Sequence, residues 1–271
     1  MLYIKNWGEV DKSRYYFSDK VYGNRLHPVR QMFLISFVAD YIKRTGRDNL
    51  KVLEIGSYCG SSAVSMAIMI EKFGKEYQIF AIDPWESGSP NEVNFKIKIM
   101  NLFLEHGVIY DIFLHNIKSH YIIPIKGKSQ DILPCLASGM FDIVFIDGDH
   151  RYEQVKKDIK NVKRLIKNDG LIIGDDFEMS WEDCDESYYN NLLNYECIKM
   201  QNREKNFHPG VSKAVYEELR ITDNFGGLWA SYGDGTKPTA EKMTWYEPIF
   251  MEGKEFLLAQ FLKDKIKSGR E

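Results

Sequence analysis

The sequence predicts an α/β fold: an open, doubly wound, mostly parallel sheet of seven strands, the last two forming a C-terminal antiparallel pair. Three observations predict it. Short runs that are apolar on both faces, such as Phe141-Asp142-Ile143-Val144-Phe145-Ile146, alternate with helical segments, the pattern of a parallel sheet covered by helices. Right-handed crossovers between such strands place helices on both faces. Gly and Asp gather just after the strands, where sheets of this kind bind ligands.

The elements follow in order. Residues 1–27, rich in Tyr and charge with little periodicity, read as an N-terminal extension or lid. From Pro28 to about Thr45, Met32, Phe33, Ile35, Val38, Ala39 and Ile42 recur at helical spacing, and Lys43, Arg44 and Gly46 mark the stop. Lys51–Ile55 is a strand, 56–60 a loop, and Ser61–Phe73 a helix closed by Gly74. Strand 78–83 ends before Pro84, and 91–106 reads as a helix. Tyr121–Ile125 is a strand, Ser129–Leu136 a helix with Ser129 as its cap, Phe141–Ile146 a strand, Tyr152–Lys167 a helix and Leu171–Gly174 a strand. Residues 177–210 are irregular, and Val211–Leu219 is helical. Segments 227–232 and 244–250 form the expected antiparallel pair, and 254–271 carries an amphipathic helix. The main domain thus spans 28–253.

With 271 residues the chain suits one large domain or two small ones, and its 44% hydrophobic and 28% charged residues exclude wholesale disorder. A net charge of −3 argues against nucleic acid or an anionic membrane as partner. No apolar run reaches the ~18 residues of a membrane span. Cys59, Cys135, Cys184 and Cys197 form no C-x-x-C pair and read as reduced thiols. A cytoplasmic protein is expected, with its state as monomer or homo-oligomer open.

Glu54-Ile55-Gly56-Ser57-Tyr58-Cys59-Gly60-Ser61-Ser62 joins a strand to a helix. Glycines there let backbone approach a ligand closely; the other reading is a tight turn and helix cap. The run lacks the middle glycine of G-x-G-x-x-G and the G-K-[ST] of a phosphate loop, so a nucleoside without phosphates is the expected ligand. Asp83, ending the next strand, suits the ribose hydroxyls, and Glu54 a cationic amino group.

Asp147-Gly148-Asp149-His150 and Asp175-Asp176 follow two strands separated by one helix, so they should meet at the carboxyl edge of the sheet. Asp147, Asp175 and Asp176 are the candidate ligands of a hard divalent cation, Mg²⁺ first; caps and solvated acids are the rival reading, above all for Asp149 and Asp176. His150 reads as a structural histidine, a general base or a metal ligand, and His208 as a site residue or a turn residue.

These residues resemble class I S-adenosylmethionine-dependent methyltransferases over about 28–220. Val52–Gly60 looks like the family's first motif and Ala81-Ile82-Asp83-Pro84-Trp85 its second, while 127–134 is similar to the segment beginning by the adenine. Phe145–Glu153 and Gly170–Phe177 resemble the metal-dependent O-methyltransferase branch, which includes catechol O-methyltransferase and the macrocin and cephamycin-pathway enzymes. The resemblance implies a Rossmann-like methyltransferase domain. It implies S-adenosylmethionine against Glu54, Gly56, Ser57, Gly60, Ser61, Asp83, Trp85, Ser129, Gln130 and Asp147, with Mg²⁺ or another divalent cation on Asp147, Asp175 and Asp176. It makes His150 or Asp149 the base, and a hydroxyl of a small molecule, sugar or glycan the acceptor. The aromatic residues from Trp181 to Tyr246 read as a cap over that acceptor or as core. The alternatives are a nucleotide-binding, oxidoreductase-like protein of the same fold, against which the missing glycine counts, and a metal-independent methyltransferase.

Overall fold

The computed structural model describes residues 4–5, 15–17, 26–86, 101, 103–201, 203–239 and 243–250. Most of the expected extension, much of the 91–106 helix and the whole C-terminal helix lie outside them.

Helix α1 (Pro28–Thr45) starts with proline at its first position and ends at Gly46 in the left-handed conformation (φ 65°), with Lys43 and Arg44 in the last turn, as read from the sequence. The six-stranded sheet has the order β4 (Ile122–Lys126), β3 (Glu76–Asp83), β2 (Asn49–Ile55), β5 (Phe141–Ile146), β6 (Ile166–Gly174) and β9 (Trp229–Tyr232). The first five are parallel. The architecture is the expected Rossmann-like one, but the closing pair is not. Segment 229–232 pairs antiparallel with β6, whereas β10 (Trp245–Tyr246) runs parallel to β1 (Ile4–Lys5). A separate antiparallel pair joins β7 (Ile198–Lys199) and β8 (Asn206–Phe207). Both 229–232 and 245–246 are buried, and apolar runs reveal burial but not the partner.

Alternate strand residues face two cores. On one side Val52, Ile79, Ala81, Ile143, Phe145 and Ile173 meet α1, α2 (Ser61–Lys72) and α3 (Val108–Ile117). On the other, Leu53, Ile55, Ile82, Val144, Ile146 and Ile172 meet α5 (Tyr152–Leu165) and α7 (Pro209–Leu219). Helix α5 buries Val155, Ile159 and Val162 at helical spacing. Between β4 and β5, α4 (Ser129–Ile132) begins at Ser129, but its N-cap is Lys128; Ser129 Oγ instead accepts a bond from Gln154 (3.1 Å), so the expected cap lies one residue earlier and lacks a side-chain bond.

Residues 177–210 hold a third, small core of Trp181, Tyr189, Met200 and Phe207, built around α6 (Glu186–Tyr189) and the β7–β8 pair. Trp229, Trp245 and Tyr246 are buried too, so most of these rings are core rather than a cap of stacked rings; Tyr188 and Tyr195 remain exposed. The four cysteines carry no disulfide. Among the described residues no helix is long and apolar enough to cross a membrane.

Asp142 is the charged residue buried at the start of β5. It receives Lys167 Nζ (2.7 Å), Tyr41 Oη (3.3 Å), the Lys51 amide (2.9 Å) and a guanidinium nitrogen of Arg47. It pins α1 and β6 to β5 at the edge opposite the site.

Candidate active site at the carboxyl edge

Building outward from β2, the chain adds β3 and β4 on one side, then returns to add β5 and β6 on the other. The crevice at such a reversal is where open α/β sheets bind ligands. The ladder continues past the strand ends: Gly56 N–H donates to Ile82 O (2.8 Å), Asp147 N–H to Ile55 O (2.8 Å) and Asp175 N–H to Ile146 O (3.0 Å). Asp83, Asp147 and Asp175 therefore share one rim, as their spacing predicts.

The glycine loop is held by side chains as much as by glycine. Gly56 has φ 87°, and a Cβ there would lie 1.8 Å from the Asp147 carbonyl oxygen. At Gly60 (φ 85°) a Cβ would lie 3.0 Å from the Phe113 ring. Both glycines thus serve close packing of protein on protein. Asp83 accepts the amides of Tyr58 (2.9 Å) and Trp85 (2.7 Å), and burial, against those two bonds, raises its carboxyl above the ordinary range. Trp85, expected at the cofactor, is buried, donates its indole N–H to Tyr58 O (2.7 Å) and packs on Tyr110 and Phe113. Ser57 and Ser61 are buried in the loop and at the start of α2, while Gln130 is exposed on α4.

Glu54 is fully buried beneath this loop, bonded by Ser62 Oγ, with its second oxygen and the nearby Ser57 Oγ unpaired. Desolvation raises its carboxyl to about 7. The folded chain then keeps a proton that the unfolded chain releases near the ordinary value of 4.5. That stabilisation is full below the lower value and is lost as pH rises through the upper. Glu54→Gln, which has no proton to lose, should therefore gain roughly 2–3 kcal/mol on the wild type between about pH 5 and about pH 8. Urea unfolding at the two pH values measures this; parallel curves for the two proteins would refute it.

The other half of the rim is a charge network. Arg30 on α1 meets Asp175 (2.7 Å), Asp176 (2.6 Å) and Glu178 (2.9 Å). Burial opposes its charge, but these carboxylates more than offset that and hold the guanidinium above its ordinary range. His150 places Nε2 2.9 Å from Asp176 and 3.7 Å from Asp147, and Nδ1 3.1 Å from Glu196. Burial opposes its protonation, yet the carboxylates of Asp147, Asp176 and Glu196 around its ring raise it well above the histidine range. Asp175 moves up through burial and its neighbours Asp176 and Asp147. Asp176 moves down: burial opposes this, but His150, His208 and Arg30 favour its charge. Asp176 also has a left-handed backbone (φ 59°), the strained conformation often found at functional sites. Asp149 lies apart, clamped by Arg151 (Nε, 2.9 Å), which outweighs burial and holds its carboxyl low.

Sequence reasoning missed Arg30, Glu178 and Glu196, and left His208 undecided. The His208 ring lies 4.9 Å from His150, with Nδ1 3.1 Å from Glu178. Of the three carboxylates expected for Mg²⁺, Asp175 and Asp176 are already engaged. Asp175 Oδ1 takes both Arg30 and the Asp176 amide (2.7 Å), and Asp176 Oδ1 takes Arg30. This arrangement does not fit an all-oxygen Mg²⁺ site. Among the described residues, donor atoms that converge within 4.8 Å of one another belong to His150, Asp176 and His208.

Uncharacterized protein R132 of Acanthamoeba polyphaga mimivirus is 29% identical over 137 residues, covering 49% of this chain and 53% of that protein. The chain therefore spans about half the length of that relative. Among solved structures, the O-methyltransferase NovP aligns with TM-score 0.41 and 16% identity over 64% of this chain and 76% of its own. The methyltransferase PaMTH1 of Podospora anserina aligns with TM-score 0.41 and 15% identity over 86% and 91%. Residues 53–177 match the family model described as a methyltransferase domain, a span that contains every strand end of the site from Glu54 to Asp176.

Proposed function

We propose that the chain is an S-adenosylmethionine-dependent methyltransferase that methylates a hydroxyl of a small molecule or sugar. The observation that carries this reading is the continuous rim on which the Gly56–Gly60 loop and Asp83 adjoin the His150–Asp176 pair through the backbone contact between Gly56 and Asp147. S-adenosylmethionine, when bound, supplies a methyl group on a positively charged sulfur that an oxygen nucleophile can take.

Asp83 would accept the ribose hydroxyls through the lone pairs that the Tyr58 and Trp85 amides leave over. Ser57, Gly60 and Ser61 belong to the loop that would hold the cofactor, and Ser129 and Gln130 would stand by its adenine. His150, anchored at Nδ1 by Glu196, is held as an imidazolium by the carboxylates around it; once it has released that proton to solvent, it would take the acceptor's proton at Nε2 as the acceptor oxygen takes the methyl group from sulfur, so methyl transfer should rise with pH. Asp176 and Asp147 stabilise the imidazolium so formed. Asp149, committed to Arg151, is the weaker candidate for that role. Mg²⁺ has no part in this reading, because Arg30 already supplies the positive charge on Asp175 Oδ1 and Asp176 Oδ1.

Calorimetry with S-adenosylhomocysteine and, separately, NAD⁺ tests the reading. Saturable binding of the first and none of the second is expected. Binding of NAD⁺ in place of S-adenosylhomocysteine would favour the oxidoreductase-like alternative.

A further inference from the structure

We propose that Arg30 is the resident cation of this site: its guanidinium stands where a divalent ion would bridge Asp175 and Asp176, so the chain binds no such ion there and transfers methyl groups without one. The second half of that statement rests on the function proposed above; the exclusion of the ion does not.

Arg30 is seated, not draped. A Cβ on Gly227 (φ 103°) would lie 2.6 Å from Arg30 Nε and 2.9 Å from Nη2, so the backbone at 227 is shaped around the guanidinium. The loop that forms this seat is tied to the acidic turn it serves. Phe177 N–H donates to Gly227 O (2.8 Å), Gly227 N–H donates to Asn224 Oδ1 (2.7 Å), and Asn224 Nδ2 donates to Phe177 O. The planar fork then spans three carboxylates, with Nη1 on Asp175 and Asp176 and Nη2 on Glu178. Arginine keeps its charge at any working pH, so this counter-charge is permanent. Two cations cannot share the same two carboxylates at contact distance without strong mutual repulsion. The Asp175 oxygen facing Arg30 is further committed to the Asp176 amide.

The full chain, stripped with EDTA, is titrated with Mn²⁺ and with Mg²⁺ in the presence and absence of S-adenosylhomocysteine. The wild type is expected to show no stoichiometric binding of either ion. Arg30→Met, which frees Asp175 and Asp176, should gain at least about 100-fold in Mn²⁺ affinity. Arg30→Lys, which keeps a charge without the fork, should stay near the wild type and serves as the second variant if Arg30→Met does not fold. Stoichiometric binding of either ion by the wild type, at the three aspartates or at His150, Asp176 and His208, overturns the proposal, as does an Arg30→Met that folds and gains nothing. Failure of S-adenosylhomocysteine to bind sinks the methyltransferase reading and leaves the Mn²⁺ result to decide on Arg30.

Discussion

Asp83→Ala lowers the affinity for S-adenosylhomocysteine by at least about 100-fold, the loss of two charge-assisted hydrogen bonds to the ribose at about 1.5–3 kcal/mol each, partly recovered by water. The carboxylate also organises the loop by accepting the Tyr58 and Trp85 amides, so its removal loosens the frame that positions the ligand. Asp83→Asn, which can still accept one such bond, should lose roughly tenfold. The two effects separate in one experiment, with calorimetry giving affinity and thermal unfolding showing that each variant folds. An unchanged affinity in a folded Asp83→Ala would place the ligand elsewhere.

Asp142→Ala lowers global stability by about 3 kcal/mol. Removing one member of a buried ion pair typically costs about 3–5 kcal/mol. The lower end applies because Arg47 and Lys167 keep 30% and 32% of their side chains exposed and can partly rehydrate. Tyr41 Oη and the Lys51 amide lose an acceptor as well. The midpoint should fall by roughly 6–12 °C in a thermal scan, with S-adenosylhomocysteine affinity unchanged below the transition, since Asp142 lies at the far end of β5 from the ligand edge. A midpoint within a degree or two of the wild type would show that the cluster is a surface decoration.

Much of the frame was legible because parallel strands announce themselves. Phe141–Ile146 is apolar on both faces because helices cover both, and its one charge, Asp142, is the exception that packing had to resolve. The adjacency of Asp147 and Asp175 followed from one strand-helix-strand unit, since a right-handed crossover puts the second strand beside the first. Helix α3 was missed, although Ile109, Phe113, Asn116 and Ile117 are buried at helical spacing. Its ends lack the usual polar cap, and the run reads as a plain apolar stretch. Trp85 shows what a motif position does not announce: the buried ring donates to Tyr58 O and braces the glycine loop. Arg30 was illegible for a topological reason. It is the third residue of α1, and only folding brings that helix end over the end of β6, 145 residues further along. His208 and Glu196 are likewise brought to His150 by the 177–210 segment, whose small core has no periodic signature.

Methyl transfer by this chain requires donor and acceptor to meet at one stretch of sheet edge. A crystal structure with S-adenosylhomocysteine bound measures this most directly. It should show the ribose on the Asp83 carboxylate and the sulfur turned toward the His150 and Asp176 side chains. Ligand density on another face of the sheet, or a sulfur directed away from His150, would contradict the account.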